Sequence, residues 1–281
     1  MREINVNLIT QTIASLCRST CTDLPQDVYD RLKEARAAEK GGMAQKTLDI
    51  LIENADISKQ KKIPICQDTG MACIWLKVGQ EVHFVGGDLN EAIQQGVRQG
   101  YEEGYLRKSI VYDPVFDRVN TQDNTPAMIT YEIVPGDKIE ITLAPKGFGS
   151  ENMSQIRMLK PSDGVEGIKS FVLNVVESAG ANACPPMVIG VGIGGNFDKV
   201  ALLAKQAMMA PIEAHHPDKR YADLEDELLE RINQLGIGPA GFGGGTTALA
   251  LHIETAPTHI AGMPVAVAIC CHVSRHEKVI L

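Results

Sequence analysis

Seven cysteines carry the most reactive chemistry in this sequence: Cys17, Cys21, Cys66, Cys73, Cys184, Cys270 and Cys271. Their odd number, wide scatter and lack of any C-x-x-C pair exclude a disulfide framework, a zinc ribbon and a thioredoxin-type motif. Cys17 and Cys21 stand four apart in a helical region, and Cys73 sits in the apolar run Met71-Ala72-Cys73-Ile74-Trp75, so all three read as core. Cys66, Cys184 and Cys271 differ. Each ends a predicted element beside turn-forming or polar residues: Pro64 and Asp68, Pro185-Pro186, and His272 with Arg275-His276. Loop-borne thiols of this kind can converge on one point, and their spacing alone leaves two readings open, structural thiols or metal ligands assembled from afar.

Three thiolates on an iron–sulfur cube would leave one iron without a protein ligand. Most such clusters have four cysteines and transfer electrons; an open iron can instead act as a Lewis acid toward the carboxylate and hydroxyl of a small hydroxy acid. That chemistry also needs cationic or amide groups for carboxylates, and a proton donor and acceptor. Gln67, Asp68, Arg107, Lys146 and His259 are of the right types. Taken singly, Arg107 and Lys146 read more simply as solvated surface charges.

Three further motifs have weaker claims. Gly190-Val191-Gly192-Ile193-Gly194-Gly195 fits G-x-G-x-x-G, but the acidic residue at the expected distance, Glu213, follows Pro211, which spoils the second strand of a dinucleotide fold. The simpler reading is a place of close backbone approach. Asp68-Thr69-Gly70 has no second copy to make an aspartic-protease pair. Gly243-Gly244-Gly245-Thr246-Thr247 lacks the phosphate-loop lysine, yet could form a nest of backbone amides for a carboxylate or inorganic group.

The elements that must position these residues come from an ordinary globular composition. The chain has 281 residues, a net charge of −8, 44% hydrophobic and 22% charged residues, and only 5% aromatics. The acidic balance argues against nucleic-acid or anionic-membrane partners. The longest apolar run, Met263 to Cys271, falls far short of the ~20 residues of a membrane helix. The N-terminus lacks a signal-peptide apolar region, so a soluble, cytoplasmic protein is expected.

Residues 1–60 read as helix, with Ile9, Ile13 and Leu16, then Val28, Leu32 and Ala35, on helical spacing. Strands are expected over Cys73–Val78, Lys138–Leu143, Met187–Val191, Ala248–Ile253 and Val265–Cys271. Helices are expected over 88–105 with Asp88 as N-cap, from about 163 to 178 with an Asp163/Glu166 capping box, and over 198–209 and 222–235. The fold class is α+β, a single compact domain over 1–281 with a helix-rich N-terminal part of about 60 residues and mostly non-crossover strands.

Several long motifs occur in one order: Pro64-Ile65-Cys66-Gln67-Asp68-Thr69-Gly70, Lys146 to Ser154, Ala181-Asn182-Ala183-Cys184-Pro185-Pro186, Gly192-Ile193-Gly194-Gly195, Gly236 to Gly241 and Cys271-His272-Val273-Ser274-Arg275. Together they resemble the class I (iron–sulfur) fumarate hydratase family, in its alpha subunit or the N-terminal domain of its single-chain forms, over nearly the whole chain. The resemblance implies a [4Fe–4S] cluster on Cys66, Cys184 and Cys271 and the interconversion of fumarate and (S)-malate, a step of the tricarboxylic acid cycle. It places Gln67, Arg107 and Gly149 at the substrate, and Asp68 and His259 in proton handling, His259 near the open iron. Cys270 beside Cys271 departs from the pattern; the family puts its ligand directly before the residue corresponding to His272. The resemblance further implies a heteromer with a separate beta subunit that completes the site, near-inactivity of this chain alone, and sensitivity to oxygen. The related L(+)-tartrate dehydratase alpha subunit shares the cysteines and the C-Q-D-T-G motif; the Lys146–Ser154 loop favours fumarate. A non-catalytic metal-binding scaffold would show no hydration, and a dehydrogenase would bind NAD.

Overall fold

The computed structural model describes residues 1–281. In chain order the elements are β1 (Arg2–Asn5), α1 (Val6–Thr22), α2 (Gln26–Ala38), α3 (Gly42–Lys61), β2 (Met71–Gly79), β3 (Val82–Val85), α4 (Leu89–Glu103), β4 (Met128–Val134), β5 (Ile139–Lys146), α5 (Phe148–Glu151), β6 (Gln155–Leu159), α6 (Gly164–Ala179), β7 (Met187–Gly195), α7 (Phe197–Ala207), α8 (Lys219–Gln234), β8 (Ala248–Thr258), β9 (Met263–Cys270) and β10 (Glu277–Ile280). The α+β class read from the sequence holds. The residues fall into two compact units: Met1–Pro25 with Ala55–Phe148 and Arg275–Leu281, and Gln26–Asn54 with Gly149–Ser274.

In the first unit a four-stranded sheet runs β10-β5-β2-β4, beside a separate β1–β3 pair. Ile139, Ile141 and Leu143 alternate inward along β5, as the period-2 pattern requires. With Ile74 and Leu76 of β2 they meet Ile9, Ile13 and Leu16 of α1 and Ile93 and Val97 of α4. Burying each aliphatic side chain of this size contributes about 1.5–3 kcal/mol. Asp88 caps α4 as expected, its carboxylate accepting from the Glu91 amide at 2.8 Å.

The second unit is built on the sheet β6-β9-β7-β8, with β7 buried along nearly its whole length. Ile189, Val191 and Ile193 face a core shared with Val172 and Val176 of α6 and Leu228 and Ile232 of α8. The residues between them, Gly190 and Gly192, face α7. A β-carbon at Gly190 would stand 2.0 Å from the Ala204 carbonyl oxygen, and one at Gly192 2.3 Å from that of Val200. These glycines let a helix lie directly on the strand, and the G-x-G-x-x-G pattern is accounted for by packing inside β7, not by a nucleotide loop.

Two expectations need correction. The strands are not mostly non-crossover: β1–β3, β2–β4 and β7–β8 are parallel. Burial patterns report which face a residue points to, not strand direction, and the helices inserted as α4 and as α7–α8 make the parallel returns possible. The Asp163/Glu166 box does not form either. Asp163 reaches back instead, its carboxylate accepting from the Lys160 amide at 2.8 Å to close the turn before α6.

Candidate active site

Four of the seven thiols are packed away. Cys17 and Cys21 are fully buried, and Cys73 and Cys270 are nearly so. Burial pushes the Cys17 and Cys21 thiols up, which holds both in the protonated, non-ligating form. Cys66 and Cys271 are half-buried and Cys184 is exposed. The structure thus sorts the thiols by access along the line drawn from their sequence surroundings. No three His, Cys, Asp or Glu side chains close around a single ion position; a cube asks for something different, because each of its cysteines ligates a separate iron.

In the first unit, Cys66 opens a tightly fastened turn. The Ile65 amide donates to the Cys21 carbonyl at 3.0 Å, which seats the chain just before the thiol. Asp68 accepts from the Gly70 amide at 3.0 Å and the Phe148 amide at 2.9 Å, and its own carbonyl accepts from the buried Arg275 guanidinium. The Tyr101 hydroxyl lies 2.9 and 3.0 Å from the carbonyl oxygens of Thr69 and Gly70. Burial, with smaller contributions from Cys21 and Cys17, holds that phenol well above its usual pKa, so it remains a donor. Thr69 Oγ1 donates to the Arg107 carbonyl at 3.1 Å, while the Arg107 residue itself is exposed. Asn124 completes the block: it donates to the Gly70 carbonyl at 3.2 Å and accepts from the Ser109 amide at 2.7 Å. Cys66, the exposed Gln67, Asp68 and Arg107 are therefore carried on one hydrogen-bonded backbone scaffold.

In the second unit, Cys184 follows a short 3-10 turn, Gly180–Ala183, and adopts a left-handed conformation (φ 51°, ψ 61°). Its carbonyl accepts from the His272 amide at 3.2 Å and lies 3.0 Å from His272 Nδ1. The antiparallel register pairs Val188 with Cys270, so Cys184, just before β7, and Cys271, just after β9, come to the same end of this sheet. Successive strand residues point to opposite faces; Cys270 turns inward, with its thiol 3.9 Å from the Val273 carbonyl, and Cys271 is the more accessible of the two. Gly149 is exposed, and a β-carbon there would stand 3.9 Å from the Asn182 carbonyl, near the Cys184 turn.

His259 is not brought to this end. It is exposed in the turn between β8 and β9, with Nδ1 accepting from the Ala261 amide at 3.2 Å. The eight residues of β9 separate it from Cys271, about 25 Å at ~3.3 Å per residue. His259 and Cys271 thus lie at opposite ends of β9.

Lys146, which could have been a surface charge, is buried. The glycine-rich nest at 243–247 is filled from within the chain: the amides of Gly245 and Thr246 donate to the Glu39 carboxylate at 2.8 and 2.9 Å. Sequence reasoning passed over Glu39, Tyr101 and Asn124, and read Arg275 only as the end of a motif. All four act through partners distant in sequence, which no local pattern reveals.

The family described as fumarate hydratase (Fumerase) matches residues 10–280 of this chain. Among curated relatives, a Methanocaldococcus jannaschii protein whose name assigns it provisionally as an L(+)-tartrate dehydratase alpha subunit is 42% identical over 271 residues, covering 95% of each chain. The L(+)-tartrate dehydratase alpha subunit of Escherichia coli K12 is 33% identical over 280 residues, covering 98% of this chain and 91% of its own. That of Escherichia coli O157:H7 is 34% identical over the same length. With that match spanning almost all its residues, the chain belongs to the fumarate hydratase (Fumerase) family and is a hydro-lyase.

Proposed function

We propose that this chain is the cluster-bearing alpha subunit of a hydro-lyase that interconverts fumarate and (S)-malate together with a separate beta subunit. Cys66, Cys184 and Cys271 would hold a [4Fe–4S] cluster, and the donor set fits: these are the three thiols left accessible, and thiolate is the natural ligand of such clusters. The cluster would supply a Lewis acid for the substrate's hydroxyl and carboxylate. The chain's own residues do the rest. The exposed Arg107 guanidinium can take a carboxylate in a two-pronged, charge-assisted pair. Gln67 offers an amide, and Gly149, without a side chain, offers its backbone. Two backbone amides aim Asp68, which suits a group that orients or polarises a proton-transferring partner. His259, exposed at the far end of β9 from Cys271, is assigned the role of proton donor or substrate contact.

The observation that carries this reading is the coincidence of family membership with the sorting of thiols by access. The names of the relatives favour a second reading, L(+)-tartrate dehydration, which would use the same residues on a diacid with one more hydroxyl. Anaerobic reconstitution with the partner chain, followed by parallel assays on fumarate, (S)-malate and L-tartrate, decides between them. A kcat/KM at least tenfold higher for fumarate or malate is expected. A tenfold preference for tartrate would transfer the assignment, and no turnover of any of the three would refute it.

A further inference from the structure

Resting on the assignment of Cys184 as a cluster ligand, we propose that Glu39 is a positioning residue for that ligand, acting through the glycine-rich loop 236–247. All the contacts lie in the second unit. Glu39 follows α2 directly, and one of its carboxylate oxygens accepts from two consecutive amides, Gly245 at 2.8 Å and Thr246 at 2.9 Å. Consecutive amides pointing at one anion form a nest, and this one is occupied by the chain's own carboxylate. The fit is close: a β-carbon at Gly244 would stand 3.1 Å from the same carboxylate and 2.6 Å from Ala44.

The other end of the loop reaches the ligand. The Ala240 amide donates to the Pro185 carbonyl at 2.8 Å, one residue beyond Cys184. A β-carbon at Gly241 would stand 2.4 Å from that of Ala181, whose carbonyl accepts from the Cys184 amide at 3.0 Å. Between the two ends the loop is tied together by the Gly243 amide on the Ile237 carbonyl at 2.9 Å and the Gly238 amide on Thr247 Oγ1 at 3.2 Å. Glu39 thus holds one side of a loop whose other side braces a left-handed cysteine, a conformation that a non-glycine residue keeps only when its surroundings enforce it. Loss of a charge-assisted pair of hydrogen bonds should loosen the loop, and the cysteine turn with it, by about tenfold or more.

Hydrogen exchange read by mass spectrometry on Glu39→Ala and Glu39→Gln, with iron content after anaerobic reconstitution, tests this. In Glu39→Ala, the segments 236–247 and 181–186 should both exchange at least tenfold faster while 65–75 is unchanged, and iron per chain should fall. Glu39→Gln, which keeps an acceptor oxygen, should show a smaller effect and stands in if the alanine variant does not fold. Added formate, a carboxylate small enough to refill the nest, should restore protection to Glu39→Ala. Faster exchange confined to 236–247, or no change in either segment, overturns the proposal. If the two segments loosen together but wild-type protein takes up no iron, the clamp stands and the cluster assignment fails.

Discussion

At the scale of single residues, the site depends on side chains that never need to meet substrate. Tyr101, Asn124 and Arg275 each bond backbone of the turn that carries Cys66, Gln67 and Asp68. Hydrogen bonds to main-chain atoms position a segment whatever its side chains are, so sequence patterns reveal them poorly. His252 is the converse case, a buried titratable group in β8 with no part in the proposed chemistry. Burial lowers its pKa below the ordinary histidine value, opposed by Glu225 and Asp27 and reinforced by His215. The unfolded chain therefore binds a proton near pH 6.5 that the fold refuses until lower pH. Stability from this group is full above pH 6.5 and is lost as pH falls through the depressed folded value. Thermal melting of the wild type should drop between pH 7 and 5, and His252→Leu should flatten that drop. An equal pH slope in both proteins would remove His252 from the account.

At the scale of elements, contact between β7 and α7 runs through glycine. Gly190→Ala would drive a methyl group into the Ala204 carbonyl, 2.0 Å from the new carbon. Overpacking in a rigid interior costs roughly 1–3 kcal/mol, and more where backbone must give. Urea unfolding should show a loss of at least that size for Gly190→Ala, against a few tenths for Gly262→Ala, where a β-carbon meets only ordinary contacts at 3.8 and 4.0 Å. Equal stabilities would mean that the helix does not sit on the strand. The elements legible in the sequence were those with a buried face. Helices α1, α4, α7 and α8 and strands β2, β5, β7, β8 and β9 all show periodic or continuous burial. The sheet-edge strands β4, β6 and β10 escaped, because they are mostly exposed and have no alternation to read. Their partners, not their own side chains, make them strands.

At the scale of the molecule, the candidate ligands come from distant stretches of chain, and their chemistry was more legible than their arrangement. Proline, glycine and polar neighbours marked Cys66, Cys184 and Cys271 as unlike the others, and their accessibility agrees. The place of His259 was not legible, because it depends on how β8, β9 and β7 pair. The central claim is that three accessible sulfurs share one inorganic cluster. Iron and acid-labile sulfide, with the visible spectrum, should be measured on anaerobically purified wild-type protein and on single serine variants. About four irons and four sulfides per chain are predicted for the wild type, absent in Cys66→Ser, Cys184→Ser and Cys271→Ser and retained in Cys17→Ser and Cys73→Ser. A cluster that survives loss of any of the first three, or a wild-type protein that binds no iron, would contradict the account.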